Sequence, residues 1–276
     1  MRRIIRFACV LLFAWAGVVQ AQAPAVDTEA AMVVSGSITV NPDGSLVDYQ
    51  LDKADKISPG VKGFLDENIR QWKFQPVPGV PANAIVVNDM SLRLVAKPAA
   101  NGAVQIALTG FNFYPVKQKQ RKRTRMTAPS YPVEAARAGV SADVYLVMKV
   151  DGDGRVLDVI AEQVNLQVKG SDEQMRKWRK MFADASIDAA RRWKITADED
   201  KQAGSYQVLR VPVSYSMGLS RAYGQWIGYV PGPRESTEWS IEGLSPGFSP
   251  DALVDGLVYQ DGPGTLKLQS AAIDNG

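Results

Sequence analysis

The chain has 276 residues, of which 46% are hydrophobic and 22% charged, and this length and composition are typical of a soluble protein with one large or two small domains. It has no histidine and one cysteine, Cys9, which excludes histidine catalysis, histidine metal sites and an intramolecular disulfide. Three of its 32 lysines and arginines lie before the first apolar run. The rest of the chain therefore has 29 basic residues, equal to its 29 acidic residues. That balance excludes a general nucleic-acid-binding protein, which needs a basic surface.

Residues 1–21 have the pattern of a secretory signal peptide. Three arginines precede the apolar run FACVLLFAWAGVV, and the small-residue sequence QAQA follows it. The apolar run is shorter than the ~20 residues that a membrane-spanning helix needs. We therefore expect cleavage after Ala21 and export, with an uncleaved leader that anchors the protein in the inner membrane as the alternative.

Two later segments share a β-hairpin pattern. Residues 34–51 read VSGSITVNPDGSLVDYQL and residues 144–161 read VYLVMKVDGDGRVLDVIA, so each alternates apolar and polar residues on both sides of an Asp-Gly pair. Glycine accepts the positive φ of a tight turn, and we expect Gly44 and Gly154 to occupy the two turns. The sequence DGDGR at 151–155 lacks the ligand spacing of a calcium loop and is predicted to be a turn.

A helix is predicted after each hairpin. In both segments four positions recur at spacings of four, four and three, which places them on one helical face; they are apolar in the first segment and mostly apolar in the second, and each series ends at a tryptophan followed by lysine and an apolar residue. We expect both tryptophans to be structural and to close the core between helix and sheet. The positions are Val61, Leu65, Ile69 and Trp72 in the first half and Phe182, Ser186, Ala190 and Trp193 in the second.

Each half ends in a predicted strand, at 84–95 and at 206–216. The predicted fold class is α+β, with two tandem modules that each form a small antiparallel sheet with a helix packed on one face. The aromatic residues after Met217 indicate an ordered arm rather than a disordered tail, and TLKLQS at 265–270 is expected to form a further strand that covers a sheet edge. The predicted segments are a signal peptide at 1–21, a first module at 32–97, a strand and basic linker at 98–126, a second module at 127–217 and a C-terminal arm at 218–276.

The second module resembles the TonB C-terminal domain family of Gram-negative bacteria. The resemblance rests on the Asp-Gly hairpin, the tryptophan after the helix, the closing strand of the V-P-V type and an entry segment; that entry segment contains Pro129, Tyr131, Pro132, Ala135, Ala136 and Gly139. It covers about residues 127–217. The first module matches only the hairpin, helix, WKFQP and last strand, and is a degenerate copy. The resemblance implies a periplasmic module of three antiparallel strands covered by helices, which binds the TonB box of outer-membrane receptors as an added strand.

The last strand of the second module is the candidate partner-binding element. Proline lacks an N–H and is tolerated in sheets at edges, strand starts or bulges, so Pro212 predicts an edge strand with position 212 directed outward. A sheet edge can accept a partner strand, either from another protein or from a second copy of this chain in a homodimer. The candidate partner-binding residues are Tyr206, Val208, Arg210, Val211 and Pro212 on the strand and Pro129, Tyr131 and Pro132 in the entry segment.

The sequence departs from the energy transducers of this family. Those proteins use a membrane helix with a histidine and a long proline-rich spacer, whereas this chain has no histidine and Ala21 and Met32 can lie at most ~35 Å apart. We therefore expect an exported binding protein for a peptide or cell-envelope partner, without enzymatic activity, metal or cofactor. The alternatives are a shortened TonB-type energy transducer for outer-membrane receptor transport, held by an uncleaved leader, and a periplasmic enzyme that uses carboxylates or a Ser–Lys pair.

A basic run precedes the second module. It is expected to be a solvated linker, with contact to an anionic envelope surface as the alternative. Its residues are Lys117, Lys119, Arg121, Lys122, Arg123 and Arg125.

Overall fold

A computed structural model of the chain describes residues 28–98, 103–116, 126–195, 206–218, 222–241, 244, 247–255, 257–260 and 265–270. Within these ranges the protein is built from antiparallel sheets and a few helices, which confirms the α+β class. The predicted signal peptide and the basic run at 117–125 lie outside the described residues. None of the described helices is long and apolar enough to cross a membrane.

The first half of the chain forms one sheet, to which the C-terminal arm adds a strand. The elements are β1 (Glu29–Val40), β2 (Leu46–Leu51), α1 (Pro59–Ile69), β3 (Lys73–Phe74), β4 (Val86–Pro98), β5 (Val104–Pro115) and, from the arm, β9 (Ile227–Tyr229). The strand order of the sheet is β2-β1-β4-β5, and β9 also pairs with β1. All of these pairings are antiparallel.

The second half forms another sheet, and the arm again contributes. The elements are α2 (Val133–Arg137), β6 (Ala142–Asp151), β7 (Val156–Leu166), α3 (Asp172–Ala190), β8 (Tyr206–Tyr215), β10 (Tyr259–Gln260) and β11 (Leu268–Ser270). The strand order is β10-β8-β6-β7, and β11 pairs separately with β3. The larger sheets therefore carry five and four strands, more than the three that the family resemblance implies for a module, because the linker and the arm add strands.

The predicted helical faces are the buried faces. In α1 the three predicted positions Val61, Leu65 and Ile69 are at most 2% exposed, and they pack with Trp72 in one core. In α3 the predicted positions, with Trp193 after the helix, are also buried. The helix of the second half is longer, with 19 residues against 11 in α1, and it begins with a capping box between Ser171 and Gln174.

The repeated Trp-Lys-apolar sequence has a structural reason. The N–H of Phe74 donates to the C=O of Gly44 at 2.9 Å, and the N–H of Ile195 donates to the C=O of Gly154 at the same distance. A Cβ on Gly44 would lie 2.0 Å from the carbonyl oxygen of Phe74, and one on Gly154 would lie 1.8 Å from that of Ile195. Each segment after a tryptophan therefore closes onto the Asp-Gly turn of its own half, and glycine is needed at both turns.

The two halves also pair their strands in the same register. Ile38 faces Tyr49 across the first hairpin, and Met148 faces Val159 across the second, at an offset of 110 residues. Both hairpins shift register after the equivalent pairs, at Val40 and at Val150. The closing strands correspond in the same way, since β1 pairs with β4 as β6 pairs with β8.

The C-terminal arm lies between the faces of the two sheets that do not carry helices. Asp251 of the arm is 3.0 Å from Arg93 on β4, and Asn165 on β7 donates to the same carboxylate at 3.4 Å. Residues of both sheets and the arm share a small apolar cluster at this interface, made of Tyr114, Tyr145, Leu253 and Tyr259 with Phe248 and Leu257. The described part of the arm is thus ordered by contacts with both halves.

The prediction of a strand within 265–270 is confirmed, but its expected position at a sheet edge of the second module is not. β11 pairs with β3 in the first half, and Leu268 packs in the core under α1. The arm does reach the edge of β8, through β10 instead.

Candidate functional site

The direction of the backbone groups on β8 follows from its pairing with β6. The C=O of Ser141 accepts from the N–H of Gln167 on the β7 side. Backbone groups alternate in direction along a strand, so Ala142 and the even-numbered residues of β6 face β8. Their partners on β8 are Tyr215, Val213 and Val211. The backbone groups of the even-numbered residues of β8, including Pro212 and Ser214, are therefore directed away from β6.

The outer side of β8 is not open along its whole length, which corrects the expectation of a plain edge strand. β10 pairs with it antiparallel, with Tyr259 opposite Arg210 and Gln260 opposite Leu209. This pairing covers two residues of β8, and from Val211 to Tyr215 no other strand of the described chain pairs with its outer side. The candidate site is therefore the C-terminal half of β8.

A groove of about 320 Å³ runs beside this half of the strand. The entry segment of the second module forms its opposite wall, so the structure brings together Pro129 and Tyr131 with Val211 and Pro212. Asp255 of the arm also lines it. The remaining lining residues are Met126, Thr127, Ala128, Trp193, Val213, Ser214, Tyr215 and Ser216.

The wall of the groove is held by the core of the module. The indole Nε1 of Trp193 donates to the C=O of Thr127 at 2.8 Å, and the Tyr131 hydroxyl donates to the C=O of Val140 at 2.6 Å. The Tyr131 ring packs edge-to-face against Phe182 and Tyr215. Trp193 therefore has a second role beyond packing, because it fixes the entry segment next to β8.

Burial raises the pKa of both tyrosines at this wall. For Tyr131 and Tyr215 the removal of water around the phenol is the largest cause. The Tyr215 hydroxyl lies 2.8 Å from the hydroxyl of Ser186 inside the core. Both phenols thus stay neutral at physiological pH, and the wall carries no tyrosinate charge.

The other predicted site residues lie apart from the groove. Tyr206 is at the far end of β8, 37% exposed, with the Lys149 ammonium 3.9 Å from its ring centre. Val208 is half-buried, and Pro132 immediately precedes α2.

Arg210 lies in the layer between the two sheets. It is 2% exposed and donates to Glu162 at 3.0 Å and to the C=O of Ser240. Glu162 also accepts from Arg234 at 2.7 Å, so two guanidinium groups share one carboxylate. Arg210 therefore connects β8 to the arm and does not line the groove.

A second cavity, of about 540 Å³, lies on the opposite face of β8, between the two halves of the chain. Pro212 and Ser214 line both this cavity and the groove. Its other walls come from β1, through Ala31 and Val33, and from the arm, through Tyr223 and Asp255. A strand placed along the outer side of β8 would direct alternate side chains toward these two spaces.

Sequence patterns did not identify Ser214, Ser216 and Asp255 as part of the site. The two serines lie two and four residues after Pro212, at the end of a predicted strand. Because backbone groups alternate in direction along a strand, this even spacing was the one sequence signal that their backbone groups face outward as those of Pro212 do. Asp255 and β10 come from a glycine-rich and proline-rich segment, and a strand of two residues is too short to show alternation. The arm's contribution is therefore visible only in the folded chain.

The described residues contain no group of three or more His, Cys, Asp or Glu side chains placed to hold a metal ion. In the DGDGR segment the Asp151 carboxylate instead accepts from the N–H groups of Asp153 at 2.9 Å and Arg155 at 2.8 Å. These bonds close the hairpin turn, as predicted.

Comparison with known proteins points to one family. The chain is 35% identical over 96 residues to Protein TonB of Xanthomonas campestris pv. campestris strain B100, and equally to that of strain ATCC 33913. The match covers 33% of this chain and 36% of the relatives, so it spans about a third of their length. It supports a TonB C-terminal-like domain in this chain. No family model and no solved structure matches the chain.

Proposed function

We propose that this protein is an exported, non-enzymatic binding protein of the Gram-negative periplasm. Its TonB C-terminal-like domain binds an extended peptide segment of a cell-envelope protein, such as an outer-membrane receptor, as an added strand along the outer side of β8. The likeness to Protein TonB supports the domain type, and the family resemblance implies the mode of binding.

The direction of the β8 backbone is the observation that carries this proposal. The C=O groups of Pro212 and Ser214 and the N–H of Ser214 face away from β6, next to the groove. An added strand would satisfy such groups by main-chain hydrogen bonds, each worth about 0.5–1.5 kcal/mol net. Pro212 has no N–H to donate, so it removes one bond from the ladder and limits the registers that a partner can adopt.

The first half of the chain is not proposed to bind a partner in this way. Its equivalent strand, β4, pairs on its outer side with β5 over eleven register positions, from Asn88 to Pro98. The shared registers support an origin of the two halves by duplication, after which the first half became a packing platform. Its core retains the aromatic cluster of Trp72 with Phe74, Phe111 and Phe113.

Peptide titration tests the proposed function. A fluorescently labelled peptide that carries the TonB box of an outer-membrane receptor is titrated with the full chain, and binding is followed by anisotropy. Ser214→Pro removes the outward N–H and leaves the partner's C=O opposite it without a donor, which costs about 1–3 kcal/mol, so binding should weaken at least about fivefold. Ser214→Ala keeps the N–H and loses only the hydroxyl bond to Asp143, so its affinity should stay within about threefold of the parent, equivalent to less than ~1 kcal/mol.

A gain of affinity provides the complementary test. Pro212→Ala restores an N–H on the outer side of β8 and should strengthen binding by about 2–10-fold, the equivalent of one hydrogen bond. Circular dichroism checks that each variant is folded. Equal affinities for Ser214→Pro, Ser214→Ala and the parent would show that the peptide does not add to this strand.

A shortened TonB-type energy transducer is the second candidate function, because the relatives that the chain resembles are named Protein TonB. This function requires that the leader remain attached as a membrane anchor. N-terminal sequencing of the protein isolated from the periplasm distinguishes the two candidates. A mature start at Gln22 excludes the anchored transducer, and an intact N-terminus in the membrane fraction favours it.

A further inference from the structure

We propose that β10 is a displaceable strand on the peptide-binding side of β8, so that a partner strand that pairs along β8 past its open C-terminal half requires release of this part of the arm. The inference rests on the proposed function and adds regulation of the same site. It follows from the position of β10 in the sheet, from its short pairing and from its distant origin in the chain.

β10 occupies the sheet position that β5 occupies in the first half. Both add to the outer side of the closing strand of their half, both are antiparallel, and the two sheets have corresponding orders. Tyr114 on β5 faces Asp89, and Tyr259 on β10 faces Arg210, which is the corresponding position of β8. The outer side of the closing strand is thus covered from within the chain in both halves, over eleven positions in the first half and over two in the second.

The two occupants differ in how firmly they are attached. β5 pairs over eleven positions and follows β4 directly along the chain, and its Phe111 and Phe113 are part of the core under α1. β10 pairs over two positions and is separated from β8 by most of the arm, including β9. Closing a longer loop costs more entropy, and a two-residue ladder gains few hydrogen bonds. Val258 and Tyr259 are buried in hydrophobic clusters as well, but the much shorter ladder of β10 means that its release should cost less free energy than release of β5.

The open part of the outer side of β8 is short. From Val211 to Tyr215 the outward backbone groups are the C=O groups of Pro212 and Ser214 and the N–H of Ser214, and the next outward groups belong to Arg210, opposite β10. The arm does not continue the ladder toward Ser214, because the Tyr259 hydroxyl accepts from the N–H of Val254 at 2.8 Å and the segment between them is not extended. A partner strand that pairs beyond Pro212 therefore competes with β10 for the backbone of Arg210.

A reversible lock tests the proposal. Leu209 and Gln260 face each other across the two strands, and because the backbone of Leu209 is directed at β6, this is a non-hydrogen-bonded pair with Cα atoms about 4.5 Å apart. That separation suits a disulfide. The full chain with Cys9→Ser, Leu209→Cys and Gln260→Cys is titrated with the labelled TonB-box peptide before and after reduction. The matched control carries only Cys9→Ser and Leu209→Cys. It has the same change in the core but cannot form the disulfide.

The expected result is at least tenfold tighter peptide binding after reduction of the locked variant, with no effect of reductant on the control. Equal binding by the oxidised and reduced forms overturns the displacement proposal and leaves strand addition elsewhere on β8 intact. Absence of binding in both forms and in the parent chain overturns the proposed function, and the displacement proposal with it.

Hydrogen exchange on the unmodified chain gives a second measurement that needs neither variant nor peptide. The N–H of Arg210 faces β10, whereas those of Leu209 and Val211 face β6. If β10 opens locally, the Arg210 amide exchanges at least tenfold faster than both of its neighbours. Equal protection of the three amides would mean that β10 opens only with the whole sheet, which overturns the proposal.

Discussion

Tyr114 and Tyr259 pack edge-to-face across the interface between the two halves of the chain, with ring centres 5.0 Å apart and ring planes at 89°. Each ring comes from the strand that covers the outer side of the closing strand of its own half. Both side chains are buried, at 3% and 6% exposure. The contact therefore couples the well-paired β5 to the weakly paired β10.

A double-mutant cycle on this pair should give a coupling free energy of about 0.5–1.5 kcal/mol, the value typical of an aromatic pair beyond its burial. Tyr114→Ala, Tyr259→Ala and the double variant are compared by urea unfolding. Tyr206→Ala, at the exposed end of β8, serves as the control and should be additive with Tyr114→Ala. Additivity of Tyr114→Ala and Tyr259→Ala would show that the ring contact adds nothing beyond the burial of each side chain.

Alanine at either hairpin turn should destabilise the fold by more than about 1–2 kcal/mol. Gly44 and Gly154 have φ of +88° and +79°, and a Cβ at either position would enter the backbone of the segment after the tryptophan. A Cβ on Gly63, in α1, would instead point into open space, with no neighbouring side chain or strand within 4 Å. Gly63→Ala should therefore stabilise by up to ~1 kcal/mol, because glycine is unfavourable inside helices. Thermal unfolding of the three variants checks the opposite signs.

The local features of the fold were predictable because short-range patterns determine them. The Asp-Gly turns follow from the backbone freedom of glycine, and the helical faces at Val61, Leu65 and Ile69 follow from their spacing. The closing contacts of Phe74 and Ile195 with the turns were not predicted, although the repeated Trp-Lys pair marked their positions. They join residues about 30 to 40 positions apart in the sequence, beyond the reach of any periodicity.

A buried ion pair attaches the arm to the first half, and its loss should be costly. Arg93 and Asp251 are 8% and 5% exposed and 3.0 Å apart. Asp251→Ala leaves the guanidinium with Glu29, itself only partly buried, and should destabilise by about 1–3 kcal/mol, less than for a buried charge left without a partner. Lys180 and Asp184 form an exposed pair on α3 at 2.8 Å, so Asp184→Ala should have little effect. Urea unfolding that gave equal values for the two variants would show that burial does not strengthen this attachment.

The candidate site was predictable only in part, for a related reason. Pro212 indicates an outward-facing backbone position because of its missing N–H, and Pro129 and Tyr131 come from the entry segment that the family resemblance marks. Arg210 is buried against Glu162, and Tyr259 covers the outer side of β8 at Arg210. Both features depend on how the arm folds back over both sheets. Irregular segments of this kind carry no repeating pattern, so their contacts arise from tertiary packing alone.

Alkaline pH should remove a contribution of Tyr49 to stability. Burial and the hydrogen bond that its hydroxyl donates to Asp66 at 2.7 Å raise the pKa of Tyr49 to about 12. Because the folded state holds the phenol proton more tightly than the unfolded chain, this contribution is complete below the ordinary pKa near 10 and decreases as the pH rises toward 12. The difference in unfolding free energy between the parent and Tyr49→Phe should therefore shrink from pH 9 to pH 12. Tyr206→Phe is the control, because the Tyr206 side chain is more than a third exposed. The unfolding free energies of the parent and Tyr49→Phe could instead differ by a constant amount from pH 9 to pH 12. In that case the Tyr49 hydroxyl would titrate alike in the folded and unfolded states.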